Sequence, residues 1–214
     1  VDEVLFVSGF DFSGSGFSTV DTFELQDAEN TVNATAAELD ASHGFIVTSV
    51  SAVTPVIEVS AYTTEDLVNL DAAGLTVNAT TTAGADLDSD KLATVDSITL
   101  AGAATSTADS AAALGDRLNL NAQELTLSGY VAQTLTPIVN PINSKMVINT
   151  VEGAVLDDAK LEGVTTITLG ASASAGADSA EALVVDAAVD LQLNGQQLDV
   201  DGYTTQNLAA VNNS

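Results

Sequence analysis

The stretch Leu125-Thr-Leu-Ser-Gly-Tyr-Val-Ala-Gln-Thr-Leu135 holds the pattern that decides the fold of this chain. It begins with an alternating triplet and continues through a Ser-Gly corner to Tyr130 and a polar step. An apolar–polar–apolar triplet followed by small residues is typical of a short, half-buried β-strand and its turn. We therefore predict that Leu125 and Leu127 point into the core and that Thr126 points outward.

Variants of this stretch recur along the whole sequence. They begin at Thr31, Ile57, Leu75, Ile98, Ile167 and Leu198, with a degenerate copy at Val147. Their average spacing is about 24 residues, and periods of roughly 20–50 residues are typical of solenoids, propellers and repeat arrays. The unit is too short for a four-stranded propeller blade, whereas one brief strand with small corner residues suits a single coil of a β-solenoid.

Two longer self-matches support the repeat. Residues 91–114 align with residues 160–183 without a gap, and residues 23–35 align in the same way with residues 68–80. We therefore predict an all-β fold with short helical turns, namely a β-solenoid of about eight irregular coils. Successive coils would stack their strands about 4.8 Å apart over a continuous apolar column.

The segments between the predicted strands are rich in alanine, aspartate and serine. Residues 107–114 (TADSAAAL) and 176–183 (GADSAEAL) place a capping residue ahead of an alanine-rich run. This order predicts a brief helix in each segment. The three tyrosines of the chain, Tyr62, Tyr130 and Tyr203, stand at one position of the repeated phrase, and for this reason we interpret Tyr130 as a corner packing residue and not as a binding-site aromatic.

The predicted organisation has four parts. Residues 1–45 form an atypical phenylalanine-rich N-terminal cap or assembly segment, because a bare solenoid end would expose strand edges and core. Residues 46–135 and 145–214 are the two halves of the repeat region, joined by a proline-containing connection at residues 136–144. The candidate assembly residues of the first part are Phe6, Phe10, Phe12 and Phe17.

The composition limits the range of functions. Acidic residues outnumber Lys and Arg by 30 to 4, which gives a net charge of −26, yet 46% of the residues are apolar. The chain is therefore expected to fold with carboxylates on its surface. Such a surface repels nucleic acids and anionic lipids, and we predict neither as a partner. No apolar stretch is long enough for a transmembrane helix, and the absence of cysteine excludes disulfides and cysteine-ligated metals.

Calcium is the candidate cofactor. Asp86, Asp88 and Asp90 alternate as in the opening of many Ca²⁺ loops, although Lys91 stands where an EF-hand needs glycine. A second acidic pair, Asp157-Asp158, precedes the second long repeat. The alternative is that these carboxylates are solvated corners or helix caps.

Catalytic motifs are not evident in the sequence. It contains no nucleophile elbow, zinc-protease motif or phosphate-binding loop, and His43 is its one histidine. Paired carboxylates could hydrolyse glycosides, but the chain has no tryptophan to stack against a sugar. We therefore predict that the protein is not an enzyme.

Two phrases, at residues 97–114 and 166–183, join a Ser/Thr-Ile-Thr-Leu strand to an Ala-Asp-Ser-Ala run. In these phrases and in its Ala/Thr/Asp/Leu-rich rhythm, the chain resembles the repeat regions of bacterial surface-layer proteins and large secreted adhesins. The resemblance implies secretion, self-assembly at the cell surface and, often, Ca²⁺ dependence.

The predicted function is accordingly that of a non-enzymatic extracellular protein that assembles with copies of itself into a surface layer or filament. The assembly would proceed by stacking of solenoid subunits through exposed strand edges. The first alternative is an adhesin segment that binds a glycan or another cell-surface ligand. The second is a carbohydrate-active β-solenoid enzyme.

Overall fold

The strands of this protein are short and pair in parallel. The computed structural model describes residues 3–6, 22–25, 31–43, 46–49, 54–70, 74–209 and 211. It is mostly β, with 38% strand and 17% helix, which confirms the predicted all-β class. The chain divides into two compact units, residues 1–102 and 103–214. Among the described helices, none combines the length and apolar character needed to cross a membrane.

The first unit contains eight strands and one short helix among its described residues. They are β1 (Glu3–Phe6), β2 (Thr22–Leu25), β3 (Thr31–Thr35), α1 (Ala36–Leu39), β4 (Ile46–Ser49), β5 (Val56–Tyr62), β6 (Thr76–Thr81), β7 (Ala85–Leu87) and β8 (Ser97–Thr99). A single 3₁₀ turn, Ala41–His43, follows α1. Within this unit the strands are ordered β1-β2-β4 in one sheet and β3-β5-β6-β8 in another. Neighbouring strands are either consecutive in sequence or separated by one intervening strand.

The second unit repeats this arrangement. Its elements are β9 (Ala104–Thr107), α2 (Ala108–Leu114), β10 (Leu118–Asn119), β11 (Glu124–Tyr130), β12 (Lys145–Thr150), β13 (Ala154–Leu156), β14 (Thr166–Thr168), β15 (Ala173–Gly176), α3 (Ala177–Glu181), β16 (Asp190–Gln192) and β17 (Leu198–Asp201). Its 3₁₀ turns are Gly115–Arg117 and Asp158–Lys160, and a π-helical turn, Ala182–Asp186, follows α3. Within the unit the sheets are ordered β9-β11-β12-β14-β16 and β13-β15-β17.

Inward side chains of successive strands lie in columns. In the first unit Ile57 pairs with Val32 on one side and Val77 on the other, and all three are at most 2% exposed. In the second unit Leu125 and Leu127 are 0% exposed, which confirms their predicted orientation. Burying each large aliphatic side chain contributes about 1.5–3 kcal/mol, so these columns are the main source of stability.

The order of elements recurs at a longer period than one strand. The run from β5 to β10, including α2, is matched by the run from β11 to β16, including α3, roughly 70 residues later. The predicted self-match of residues 91–114 with residues 160–183 therefore corresponds to equivalent strands and helices. β17 then occupies the place of β5 and β11 in a third copy.

Two of the predicted segments can be located in the structure in whole or in part. The proline-containing connection, residues 136–144, lies inside the second unit and forms a parallel bridge between Val139 and Asn119. Of the N-terminal segment, Phe6 ends β1, while Phe10, Phe12 and Phe17 lie outside the described residues. The phenylalanine-rich cap therefore stays a prediction.

The predicted helix at residues 107–114 forms, and its first turn offers a test of capping. The hydroxyl of Thr107 accepts a hydrogen bond from the N–H of Ser110 at 3.1 Å. We expect Thr107→Ala to lower the free energy of unfolding by about 1 kcal/mol, measured by urea denaturation followed by circular dichroism, because one N–H of the first turn loses its acceptor. Thr107→Ser keeps the hydroxyl and is the control. Equal stability of the two variants would contradict the role of the cap.

Candidate assembly edge

The repeated phrase bends just before its tyrosine. Ala61 has φ 59° and Gly129 has φ 74°, both in the left-handed region. At the same point the strand register shifts between Val59 and Tyr62 in β5, and likewise in β11. A residue in this conformation kinks the strand as a bulge does and re-aims the side chain that follows. The kink turns the tyrosine into the core.

Tyr130 illustrates the resulting corner. Its side chain is 0% exposed, and its hydroxyl donates a hydrogen bond to the carbonyl oxygen of Val155 at 3.3 Å. Burial raises the pKa of Tyr130 to about 12, and the negative charge of Asp157 adds to the rise. Tyr62 is buried to the same extent, and burial likewise raises its pKa well above the ordinary value of a tyrosine. The predicted packing role of Tyr130 is confirmed, and Tyr62 has the same role.

The backbone after Tyr130 is held by one glutamine. The side-chain oxygen of Gln133 accepts hydrogen bonds from the N–H groups of Val131 at 2.8 Å and Ala132 at 3.1 Å. Its amide nitrogen donates to a carboxylate oxygen of Asp109 at 2.7 Å. The side chain of Gln133 thus links the turn to the first turn of α2.

Glu65 holds the turn after Tyr62 in a similar way. Its carboxylate accepts hydrogen bonds from the N–H groups of Thr63 at 2.6 Å and Thr64 at 3.0 Å. Partial burial pushes the pKa of Glu65 upward, but the hydrogen bonds outweigh burial and the pKa is lowered. The acceptor after the tyrosine is therefore a common part of the corner.

The third copy has the same turn but an open corner. The side-chain oxygen of Gln206 accepts hydrogen bonds from the N–H groups of Thr204 at 2.8 Å and Thr205 at 3.1 Å. Its amide nitrogen donates to Asp178 at 2.8 Å. Tyr203, however, is 60% exposed, so this tyrosine does not share the packing role of Tyr130.

The exposure of Tyr203 follows from its neighbours in the sheet. β5 pairs with β3 on one side and with β6 on the other, and β11 lies between β9 and β12 in the same way. β17 pairs with β15 and is the outermost strand of its sheet among the described residues. Among the described residues, the corner of Tyr203 therefore lacks the neighbouring strand that Tyr62 and Tyr130 have.

The uncovered surface is apolar in character. We call it the β17 edge and define it by four residues of the third copy: Leu198, Val200, Tyr203 and Leu208. Leu198, Val200 and Leu208 are half-buried, whereas their counterparts Leu125, Leu127 and Leu135 are 0% exposed. The sequence pattern alone gave no sign of this difference, because the three copies of the phrase are alike.

In the earlier copies, the carbonyl groups equivalent to those of the β17 edge accept hydrogen bonds from the next part of the chain. There, the carbonyl oxygen of Tyr130 accepts the N–H of Val151 at 3.1 Å, and that of Val131 accepts the N–H of Val155 at 2.7 Å. The equivalent positions in the third copy are Tyr203 and Thr204. This edge therefore presents both an apolar strip and backbone acceptors to an added strand.

The predicted calcium ligands have local partners. Asp88 accepts the N–H of Asp90 at 2.9 Å, while Asp86 lies exposed on β7. Asp157 accepts the N–H of Ala159 at 3.1 Å, and Asp158 accepts the hydroxyl of Ser179 at 2.8 Å. Over the described part of the chain, no group of three or more His, Cys, Asp or Glu side chains is placed to hold a metal ion. Calcium binding stays a prediction.

Comparisons of this chain with protein-family models, curated proteins and solved structures gave no match. The predicted resemblance to surface-layer and adhesin repeats is thus neither supported nor opposed by them.

Proposed function

We propose that the protein is a non-enzymatic, secreted structural subunit whose units are β-solenoids and which assembles with copies of itself into a surface layer or filament. The observation that carries the proposal is the contrast among the three tyrosine corners. Tyr62 and Tyr130 are 0% exposed and Tyr203 is 60% exposed, although the three belong to one repeated phrase. A corner built like its buried counterparts but left open is a surface suited to a partner.

The solenoid interpretation is supported by the regular return of the chain. In the second unit, Ile148 pairs with Leu127 on one side and Ile167 on the other, and Ile167 pairs in turn with Leu191. These four side chains are 0% exposed. Parallel neighbours that are roughly 20–25 residues apart, with one apolar column beneath them, are what stacked coils produce.

Assembly through strand edges follows from the same geometry. An exposed edge presents unpaired N–H and C=O groups, and proteins that do not use such an edge usually protect it with charge, proline or a covering loop. At the β17 edge, acidic residues do alternate with the apolar ones, at Asp199 and Asp201. A partner strand must therefore tolerate or screen these carboxylates.

The acidic surface suggests that cations such as calcium promote assembly. With a net charge of −26, copies of this chain repel one another at low ionic strength. A divalent cation, or salt in general, would lower this repulsion without a dedicated ligand cage. We therefore expect assembly to depend on ionic conditions.

The proposed function predicts that the purified chain polymerises. We expect sedimentation velocity at increasing protein concentration to show growing species, and negative-stain microscopy to show ordered filaments or sheets. The buffer contains about 0.15 M NaCl, which is near physiological ionic strength, and about 5 mM Ca²⁺, which is near saturating. A monodisperse monomer at every concentration, with and without Ca²⁺, would overturn the proposal. A glycan array run on the same monomer tests the adhesin alternative, which requires binding without assembly.

A further inference from the structure

The first strand of the chain has the sheet position of a strand in the second unit. β1 pairs in parallel with β2, and β2 with β4, so that Val4, Phe23 and Val47 lie side by side. In the second unit β12, β14 and β16 follow one another in the same order. The sequence of β2, Thr22-Phe-Glu-Leu25, alternates as does Thr166-Ile-Thr-Leu169. Matching these two segments makes Val4 the counterpart of Ile148.

Among the described residues, β1 has no neighbour where its counterpart β12 has β11, and β17 has no neighbour where its counterpart β11 has β12. β12 has β11 on the side away from β14, with Leu127 opposite Ile148. β1 is the outermost strand of its sheet among the described residues, on the side where β12 carries β11. β17 is equivalent to β5 and β11. Among the described strands it is outermost on the side where β11 pairs with β12. Each edge therefore has the form that the other needs.

We propose that β17 of one copy of this chain pairs in parallel with β1 of a second copy, in the register that β11 and β12 use within the chain. Val200 then lies opposite Val4, as Leu127 lies opposite Ile148, and Tyr203 lies opposite Phe6, as Tyr130 lies opposite Thr150. This inference rests on the proposed function, since it assigns the contact by which subunits assemble. The partner is a second copy, and the contact is heterologous, so it can repeat from copy to copy.

Two properties of the β17 edge favour this occupant. The turn after Tyr203 is already held by Gln206, so little backbone ordering remains when a strand arrives. In addition, the register brings two aromatic residues together, and cross-strand aromatic pairs are among the more stabilising ones in sheets. Phe6 thereby keeps the assembly role that the sequence predicted for it.

Charge limits the strength of the contact. The same register places Glu3 opposite Asp199, and like charges directly opposite each other are destabilising in a sheet. The contact should therefore tighten as salt is added. An apolar association without carboxylates at the interface would show much weaker salt dependence.

Disulfide trapping tests the register, because the chain has no cysteine of its own. Residues paired across neighbouring strands have Cα atoms about 5 Å apart, within the range of a disulfide. We expect a mixture of Glu3→Cys and Asp199→Cys chains in a glutathione buffer to form a covalent heterodimer, and the double variant to form a ladder of covalent oligomers. Val4→Cys mixed with Asp199→Cys is the out-of-register control and should cross-link at least roughly tenfold less.

A second variant tests the contact without a cross-link. Tyr203→Ala removes the central aromatic of the β17 edge and should weaken assembly roughly thirtyfold, as expected for the loss of an interface hot spot. Its circular dichroism spectrum and unfolding midpoint should stay those of the parent chain.

The outcomes separate the inference from the proposed function. Assembly without the heterodimer, or with Asp199→Cys chains cross-linking mainly to one another, would overturn the β1–β17 contact and leave a self-assembling subunit. Full assembly by Tyr203→Ala chains would also overturn it. A parent chain that stays monomeric under all conditions would overturn both.

Discussion

Replacing Tyr130 with alanine is expected to lower the free energy of unfolding of the second unit by about 3–5 kcal/mol, the range for truncating a buried aromatic side chain. The side chain is fully buried, and its removal leaves a cavity beneath the corner where β11 bends. It also leaves the carbonyl of Val155 without the tyrosine hydroxyl that donates to it. Urea denaturation followed by circular dichroism measures the change.

Tyr203→Ala is the matched control for this prediction, because it removes the same side chain from the same phrase. Since Tyr203 is 60% exposed, we expect a loss of less than about 0.5 kcal/mol in the monomer, which is usual for surface substitutions. Equal losses at the two positions would show that the corner of the third copy is as closely packed as that of the second. The contrast between the open and covered corners would then be wrong.

Alkaline pH is expected to destabilise the protein through its buried tyrosines. The pKa of Tyr130 is raised from an ordinary value of 10.0 to about 12 in the folded state. Below about pH 10 the tyrosine is protonated in both the folded and unfolded chains, and the full stability is present. As the pH rises through about 12, the unfolded chain has already lost the proton, so on the order of 2–3 kcal/mol is lost.

Urea midpoints between pH 9 and 12.5 measure this effect, with Tyr130→Phe as the comparison. The variant should be about 1 kcal/mol less stable than the parent at pH 8, because it lacks the hydrogen bond to Val155. Its second unit should then lose less stability as the pH rises. A parent and a variant with the same pH dependence would show that the ionisation of Tyr130 is not linked to unfolding.

The alternating triplets made the inward side chains predictable. Leu125, Leu127, Ile98 and Ile167 are all 0% exposed, as their alternation indicated. Alternation did not fix the register, however. The copies of the phrase begin at Ile57 and Leu75, whereas Ile57 pairs with Val77 and Val59 pairs with Ala79. Leu75 lies on the same buried face, so a shift by two residues changes no side chain's orientation.

The small-residue strands were missed for a different reason. Residues 104–107 and 173–176 were interpreted as parts of the linking segments, yet they form β9 and β15. Alanine is depleted in strands, so the alanines of these two segments give no local sign of a strand. They form strands because they pair with β11 and β17, where Ala104 lies opposite Leu125 and Ala173 opposite Leu198. Their buried small side chains, Ala104 and Ala173, pack in the core.

The candidate site was the least predictable feature. Tyr203 has the same local sequence as the other two tyrosines, and its exposure depends on whether another strand lies beside β17. Whether a strand lies at the edge of a sheet cannot be predicted from the sequence of that strand alone. The calcium hypothesis was limited in a similar way, since carboxylates that alternate along the sequence, such as Asp86 and Asp88, are not thereby gathered around one point.

The pairing of each strand with its near neighbours in sequence also bears on how the protein folds. β11 pairs with β9 and β12, so its contacts join residues roughly 20 positions apart, and closing loops of that length has a modest entropic cost. Formation of one parallel strand pair therefore provides the template for the next strand, and ordering can spread along a unit from more than one starting point. Mutations in one strand are accordingly expected to slow local propagation rather than to remove a single folding nucleus.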